Sequence, residues 1–234
     1  MLDESYRNRK KVSSSYYAFS MASLVLIIVT EPWYRQGLFD SSLDSIIIIQ
    51  SDATETAIAI WKGYTNSALI VAMIAPIIAS LLRFHERCRT FYYVVMLTAM
   101  LFIMNVSKLC YWQARPFWVW PAIQAFDCSV QYGNPSGHSL FSMGTALTIW
   151  LDYNSFISQS PRWRHHYLSK MYTRGAFLVL AITFSLTIGY SRIFLGVHTW
   201  NQLLFGWQLG IWLALTLHFC FKDSLMRNLE SLYD

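Results

Sequence analysis

Charge is scarce in this chain. Of its 234 residues only 13% are Asp, Glu, Lys or Arg, while 55% are hydrophobic. Ordinary soluble domains carry roughly 25% charged residues. With a mean hydropathy of +0.33, the deficit excludes a conventional soluble domain and indicates an integral membrane protein. Cysteine is scarce as well. The four thiols, Cys88, Cys110, Cys128 and Cys220, do not make a disulfide framework, and no Cys/His group has zinc-ligand spacing. Repeats, low-complexity tracts and a soluble second domain are absent, so residues 1–234 read as one membrane domain with its core over about 60–220. No ionisable residue lies deep in an apolar segment, which argues against a transporter. A cleavage signal is lacking too. The first apolar run follows Arg7, Arg9, Lys10 and Lys11, but Glu31-Pro32-Trp33 succeeds it in place of small residues.

What is present is a series of apolar segments, each near the ~20 residues that a bilayer core requires. They predict an all-α bundle of six spans, at about 13–30, 64–82, 91–108, 136–153, 175–191 and 202–221. Between the first two, Leu43, Ile46, Ile47, Ala53, Ala57, Ile60 and Trp61 recur at near-helical spacing among Asp40, Asp44, Asp52 and Glu55. That pattern predicts an amphipathic helix lying at the membrane surface within 31–63, with a connecting helix packed on the bundle as the alternative. An even number of spans puts both termini on one side. That side, with the loops at 83–90 and 154–174, holds 13 of the 18 Lys and Arg residues, so it is expected to be cytosolic. The pI of 9.0 then reflects anchoring charge and calls for no nucleic acid. His165 and His166 fall on that basic side and are not ligand candidates, and His85 on the same side and His218 near it read as structural. Cys110 and Cys128 share one loop, although spacing alone does not pair them.

Only five cations remain for the opposite side: Arg35, Lys62, Lys108, Arg115 and Arg192. Three of these belong to short runs of chemistry-bearing residues. Lys108 is followed by Arg115-Pro116, then come Pro135-Ser136-Gly137-His138, and last Ser191-Arg192 with His198. Alone, Lys108 would be a snorkelling anchor and Pro-Ser-Gly-His a turn. Together they offer a tetrahedral phosphate what it needs: cations for its oxygens, a nucleophile for phosphorus and an acid for the leaving oxygen. Asn134 suits a helix N-cap and Pro135 the first helical position, so a helix is expected to open there with its amides toward an anion. Gly137 lets the backbone approach, and the Ser136 hydroxyl adds a donor. Trp112, Trp118 and Trp120 read as interfacial belt residues, with lining of the substrate mouth as the alternative, and Asp127 as a solvated loop carboxylate, with orienting of the loop as the alternative.

These runs resemble the type 2 phosphatidic acid phosphatase and vanadium haloperoxidase superfamily over about residues 60–220. Arg115-Pro116-Phe117-Trp118 and the Gly-Asn-Pro-Ser-Gly-His run are most similar to its glucose-6-phosphatase-like branch. Tyr190 to His198 is equally similar to lipid and sphingoid phosphate phosphatases. The resemblance implies that His198 attacks phosphorus and that His138 is the general acid and later the base. It also implies that Lys108, Arg115 and Arg192 bind the phosphate, with Ser136 and Gly137 beside them. Most members carry aspartate four residues after the third-motif histidine, where this chain has Gln202, the candidate for orienting His198. Glutamine accepts the same hydrogen bond but brings no charge, so the cost is expected in rate. Three cations can do the neutralising work of magnesium, so no metal or other cofactor is expected. The expected partners are the bilayer and a phosphate ester. A lipid phosphate is favoured by the short loops, a sugar phosphate by Gln202 and Arg-Pro-Phe-Trp. A catalytically silent subunit is the alternative from another class. The expected place is an endomembrane such as the endoplasmic reticulum, with the site on the luminal side.

Overall fold

The computed structural model describes residues 13–82, 87–159 and 167–231. The expected basic stretch at 7–11 and the histidines at 85, 165 and 166 lie outside them. Every described element is helical. α1 runs Ser14–Ser51, α2 Glu55–Leu82, α3 Arg87–Tyr111, α4 Gly137–Gln159, α5 Tyr167–Phe194 and α6 Trp200–Thr216. A π turn, Leu217–Phe221, carries α6 into α7, Lys222–Glu230, and a single turn at Pro116–Val119 follows α3. His218 sits in the π turn with its Nε2 3.3 Å from Ser155 Oγ.

Among the described residues five helices are long and apolar enough to cross a membrane, at Ser14–Ser51, Glu55–Leu82, Cys88–Val119, Met171–Phe194 and Trp200–Leu229. Their outward faces carry exposed Phe19, Leu26, Val71, Leu82, Phe102 and Leu180. Such continuous apolar exposure belongs to an integral membrane protein and not to a water-soluble surface. The expected fourth span, α4, is not among the five. Its sequence is diluted by Ser139, Ser142, Thr145, Thr148 and Asp152, all buried inside the bundle. Small polar residues at helix contacts are the usual means of close packing in membranes.

α4 is the central helix, packed against α2, α3, α5 and α6. Its contact with α6 is set by two glycines. A Cβ on Gly206 would lie 2.6 Å from the Ser136 carbonyl oxygen, and one on Gly210 2.6 Å from that of Leu140. The Gly206–Gly210 spacing therefore brings the two backbones into contact. It also fixes the start of α4, where His138 lies, beside the start of α6, just after His198. Tyr92, Met96, Met100, Leu140, Phe141, Phe205 and Leu209 fill the core between α3, α4 and α6.

The segment 31–63 is not a separate surface helix. Residues 31–51 continue α1 through Pro32, and 55–63 open α2. At 38 residues, α1 is about 57 Å long at 1.5 Å per residue, well beyond a ~30 Å hydrocarbon core. Most of the apolar positions read as membrane-facing are turned onto the bundle, while Ile60 stays exposed. Leu43 and Ile46 pack on Ile123, Ile193 and Leu203, and Ala53, Ala57 and Trp61 pack on Phe194, Leu195 and Val197. Periodicity marks a buried face without saying what buries it.

Candidate active site

Three chain reversals build the site. α3 ends after Lys108, where Trp112 adopts a left-handed conformation with φ 43°, and its amide donates to the Lys108 carbonyl at 3.2 Å. The reversal lets Arg115 point back under the helix end. The second reversal follows α5, whose last turn carries Arg192. There Gly196 has φ 70°, and a Cβ would lie 2.3 Å from the Gln124 carbonyl oxygen. Only glycine suits that conformation and that space. The turn delivers Val197 and His198 to the mouth of α6. The third element is the loop 120–136, which wraps over both.

The side chains converge. Lys108, Arg115, Gly137, His138, Arg192 and His198 line one cavity of about 310 Å³, with Ser129 and Gln131 from the covering loop. Three of these are cations, and all are nearly buried, with Lys108 7%, Arg115 2% and Arg192 3% exposed. Gln131 holds two of them. Its side-chain oxygen accepts from Lys108 Nζ at 3.0 Å and its carbonyl from Arg115 Nε at 2.6 Å. Arg115 Nη1 donates to the Val197 carbonyl at 2.8 Å and lies 3.3 Å from His198 Nε2. Arg192 Nη2 donates to Asp127 at 3.0 Å. Among the described residues Asp127 is the one carboxylate paired with any of the three. Arg192 Nε and Nη1 are buried without a partner. A buried cluster with three positive charges, one carboxylate and unpaired N–H donors is built to receive an anion.

The tautomer of His198 follows from its neighbours. Gln202 Nε2 donates to the Ala114 carbonyl at 2.9 Å, and Gln202 Oε1 accepts the Thr199 amide at 3.4 Å. With the amide so oriented, Oε1, 3.0 Å from His198 Nδ1, accepts a proton from that nitrogen. Nε2 is then the unprotonated nitrogen, next to Arg115. Burial first, and then Arg115, Arg192 and Lys108, hold His198 well below its ordinary 6.5. The ring is neutral at neutral pH, with its lone pair directed to the cation cluster.

Two expected residues stand one layer back. Gln202 touches His198 and not the cavity. Ser136, fully buried, is not a lining residue. Its hydroxyl oxygen accepts the Ser139 amide at 3.4 Å, so it serves as the helix cap. The helix begins at Gly137, later than the Asn134–Pro135 start expected from capping preference. Asn134 is drawn aside because its amide nitrogen donates to Glu31 at 2.8 Å. Asp127, read as solvated, pairs with Arg192 and lies 3.9 Å from Lys62. Gln131, Ser129 and Asn66, whose Oδ1 is 3.5 Å from His138 Nε2, carry no local signal that would have marked them. Among the described residues no two cysteines form a disulfide, Cys110 and Cys128 included.

The remainder of the cavity wall is Leu69, Met73, Leu101, Met104 and Phe141, from α2, α3 and α4. Leu101 is 46% exposed on the outer face of α3. The polar floor thus adjoins an apolar wall between helices.

The chain has relatives among known proteins. A family model described as the PAP2 superfamily matches residues 89–225. An undecaprenyl-diphosphatase from Sulfolobus acidocaldarius is 31% identical over 111 residues, which are 47% of this chain and 44% of that protein. The chain therefore spans less than half the length of that relative. A transmembrane PAP2-type phosphatidylglycerolphosphate phosphatase from Bacillus subtilis, known from a crystal structure, has a TM-score of 0.60. The superposition covers 92% of this chain and 97% of that one at 17% identity, a likeness of fold.

Proposed function

This chain belongs to the PAP2 superfamily, and on that footing we propose that it is an integral membrane phosphomonoesterase acting on a lipid phosphate. One observation carries the reading: a single cavity joins two imidazoles and three buried cations to an apolar wall between α2, α3 and α4. Phosphate oxygens suit the cations, and an acyl or isoprenoid chain suits the wall. A hexose would find few polar partners there. The names of the two relatives, one a diphosphatase of undecaprenyl and one a phosphatase of phosphatidylglycerolphosphate, support a lipid.

In the proposed reaction the His198 Nε2 lone pair attacks phosphorus and the bond to the leaving oxygen breaks. His138 supplies the proton that makes that oxygen an alcohol. The phosphohistidine is then cleaved by water, whose proton returns to His138 while His198 recovers its lone pair. Lys108, Arg115 and Arg192 hold the three equatorial oxygens, the role metal ions fill in kinases, so the reaction runs without a metal. Gln202 keeps Nδ1 protonated as the ring gains positive charge. In this reading α4 is a sixth crossing, and the positive-inside bias supports a site on the extracytosolic face.

Phosphate release by purified protein tests this. A long-chain lipid phosphate should be hydrolysed well ahead of a hexose phosphate, with excess chelator present and with inhibition by vanadate. Preference for the hexose phosphate overturns the lipid assignment, and strict need for added magnesium or zinc overturns the metal-free mechanism.

A further inference from the structure

Glu31 lies in α1, outside the residues that the family model matches, and is fully buried. A buried carboxylate demands partners, and this one has two. Arg35, one turn further along α1, donates its Nε to both carboxylate oxygens at 2.8 Å and its Nη2 to one of them. Asn134 Nδ2 donates to Oε1 at 2.8 Å. Arg35 is itself held, with its guanidinium carbon 5.0 Å from the centre of the Tyr111 ring, and Tyr111 packs on Phe205.

Asn134 opens the loop that leads into His138. The other side of that loop is pressed against the residue behind His198. The Ser136 amide donates to the Gln202 carbonyl at 2.9 Å, and a Cβ on Gly133 would lie 2.4 Å from the Gln202 side chain. The loop 133–136 is thus clamped between Gln202 and Glu31. Gln202 holds His198 directly. From these contacts we infer that Glu31, charge-paired with Arg35, is a positioning residue that fixes the His138 loop against the His198 loop. The inference rests on the roles proposed above for the two histidines.

Glu31→Gln discriminates. A carboxylate accepts from Arg35 at both oxygens and from Asn134 at Oε1, whereas an amide puts an NH₂ in place of one oxygen and so either loses Asn134 or breaks the Arg35 fork that holds the acceptor in place. Turnover of an alkyl phosphate, which needs the His138 proton, should fall roughly 10- to 100-fold with KM nearly unchanged, as expected for a misplaced catalytic group. An aryl phosphate with an acidic leaving group should lose far less. Glu31→Gln combined with Asn134→Asp moves the carboxylate across the contact, so the amide introduced at position 31 donates to it and still accepts from Arg35. This pair should recover most of the loss. Hydrogen exchange at the Gly133 and Ser136 amides gives a readout free of turnover and should quicken in Glu31→Gln alone. Unchanged exchange, equal losses on both substrates, or faster exchange with unaltered turnover each overturn the positioning role. Wild-type protein inactive on both phosphates counts against the phosphatase reading instead, and the exchange result then decides the tether by itself.

Discussion

The two ends of α4 carry buried charge of opposite design. At its start Lys108, Arg115 and Arg192 have one carboxylate partner among the described residues, Asp127 on Arg192, and two Arg192 nitrogens have no partner. Fifteen residues on, about 22 Å along the helix axis, Asp152 is enclosed by Lys222 from α7, Tyr93 at 2.9 Å and Arg89 at 3.2 Å. The second cluster spends its charge inside the protein and ties α3, α4 and α7 together. The first leaves positive charge uncompensated next to a cavity, and two histidines face it. Buried charge alone therefore does not mark a site. Surplus of one sign, open to a cavity, does.

Mutations should separate the two ends, with the largest effect at the proposed nucleophile. His198→Ala removes the nitrogen proposed to attack, and kcat should fall by about 10³-fold or more with folding intact. Losing a site cation comes next. Lys108→Met should lower kcat/KM by roughly 10²-fold, while the melting temperature holds or rises, because a charge repelled by Arg115 and Arg192 is gone. Asp152→Ala should show the reverse pattern. Unpairing Lys222 should cost about 3–5 kcal/mol of stability, read as a lower midpoint in detergent, with KM unchanged in the surviving folded fraction. If Lys108→Met destabilises and Asp152→Ala does not, the contrast between the ends is wrong.

A smaller effect is expected at Gln202. His198 is held well below 6.5, so the proposed nucleophile stays neutral down to acid pH, and the acid limb of kcat/KM should lie below pH 6.5. Gln202→Asp places an anion at Nδ1 and favours imidazolium. The limb should move to higher pH, and the plateau should rise by at most about tenfold, the equivalent of one pKa unit. A limb that stays in place would mean that residue 202 does not couple to His198.

The site was legible in sequence where its parts are local. Arg115-Pro116, Pro135 to His138 and Arg192 to His198 carry their spacing with them, and the spacing of Gln202 from His198 places it one helical turn on. What holds them was not legible. Gln131 clamps Lys108 and Arg115 through a loop with no periodicity, and Glu31, 103 residues from Asn134, reads in sequence as the end of a span. The helix start was misplaced for the same reason, since capping preference counts local donors and Asn134 is engaged by a distant carboxylate. The all-helical class was legible from segment length. The course of α1 was not, because its apolar stripe reports burial against Ile193 and Leu203 in the same pattern that a membrane surface would demand.

The most direct test is rapid quench of purified protein with a phosphate ester labelled in phosphorus. Wild type should carry a transient phosphoryl group that is stable to alkali, labile to acid and located on His198. It should be absent in His198→Ala and should accumulate in His138→Ala with an aryl phosphate. Label on any other residue, or turnover by His198→Ala at the wild-type rate, would contradict the account.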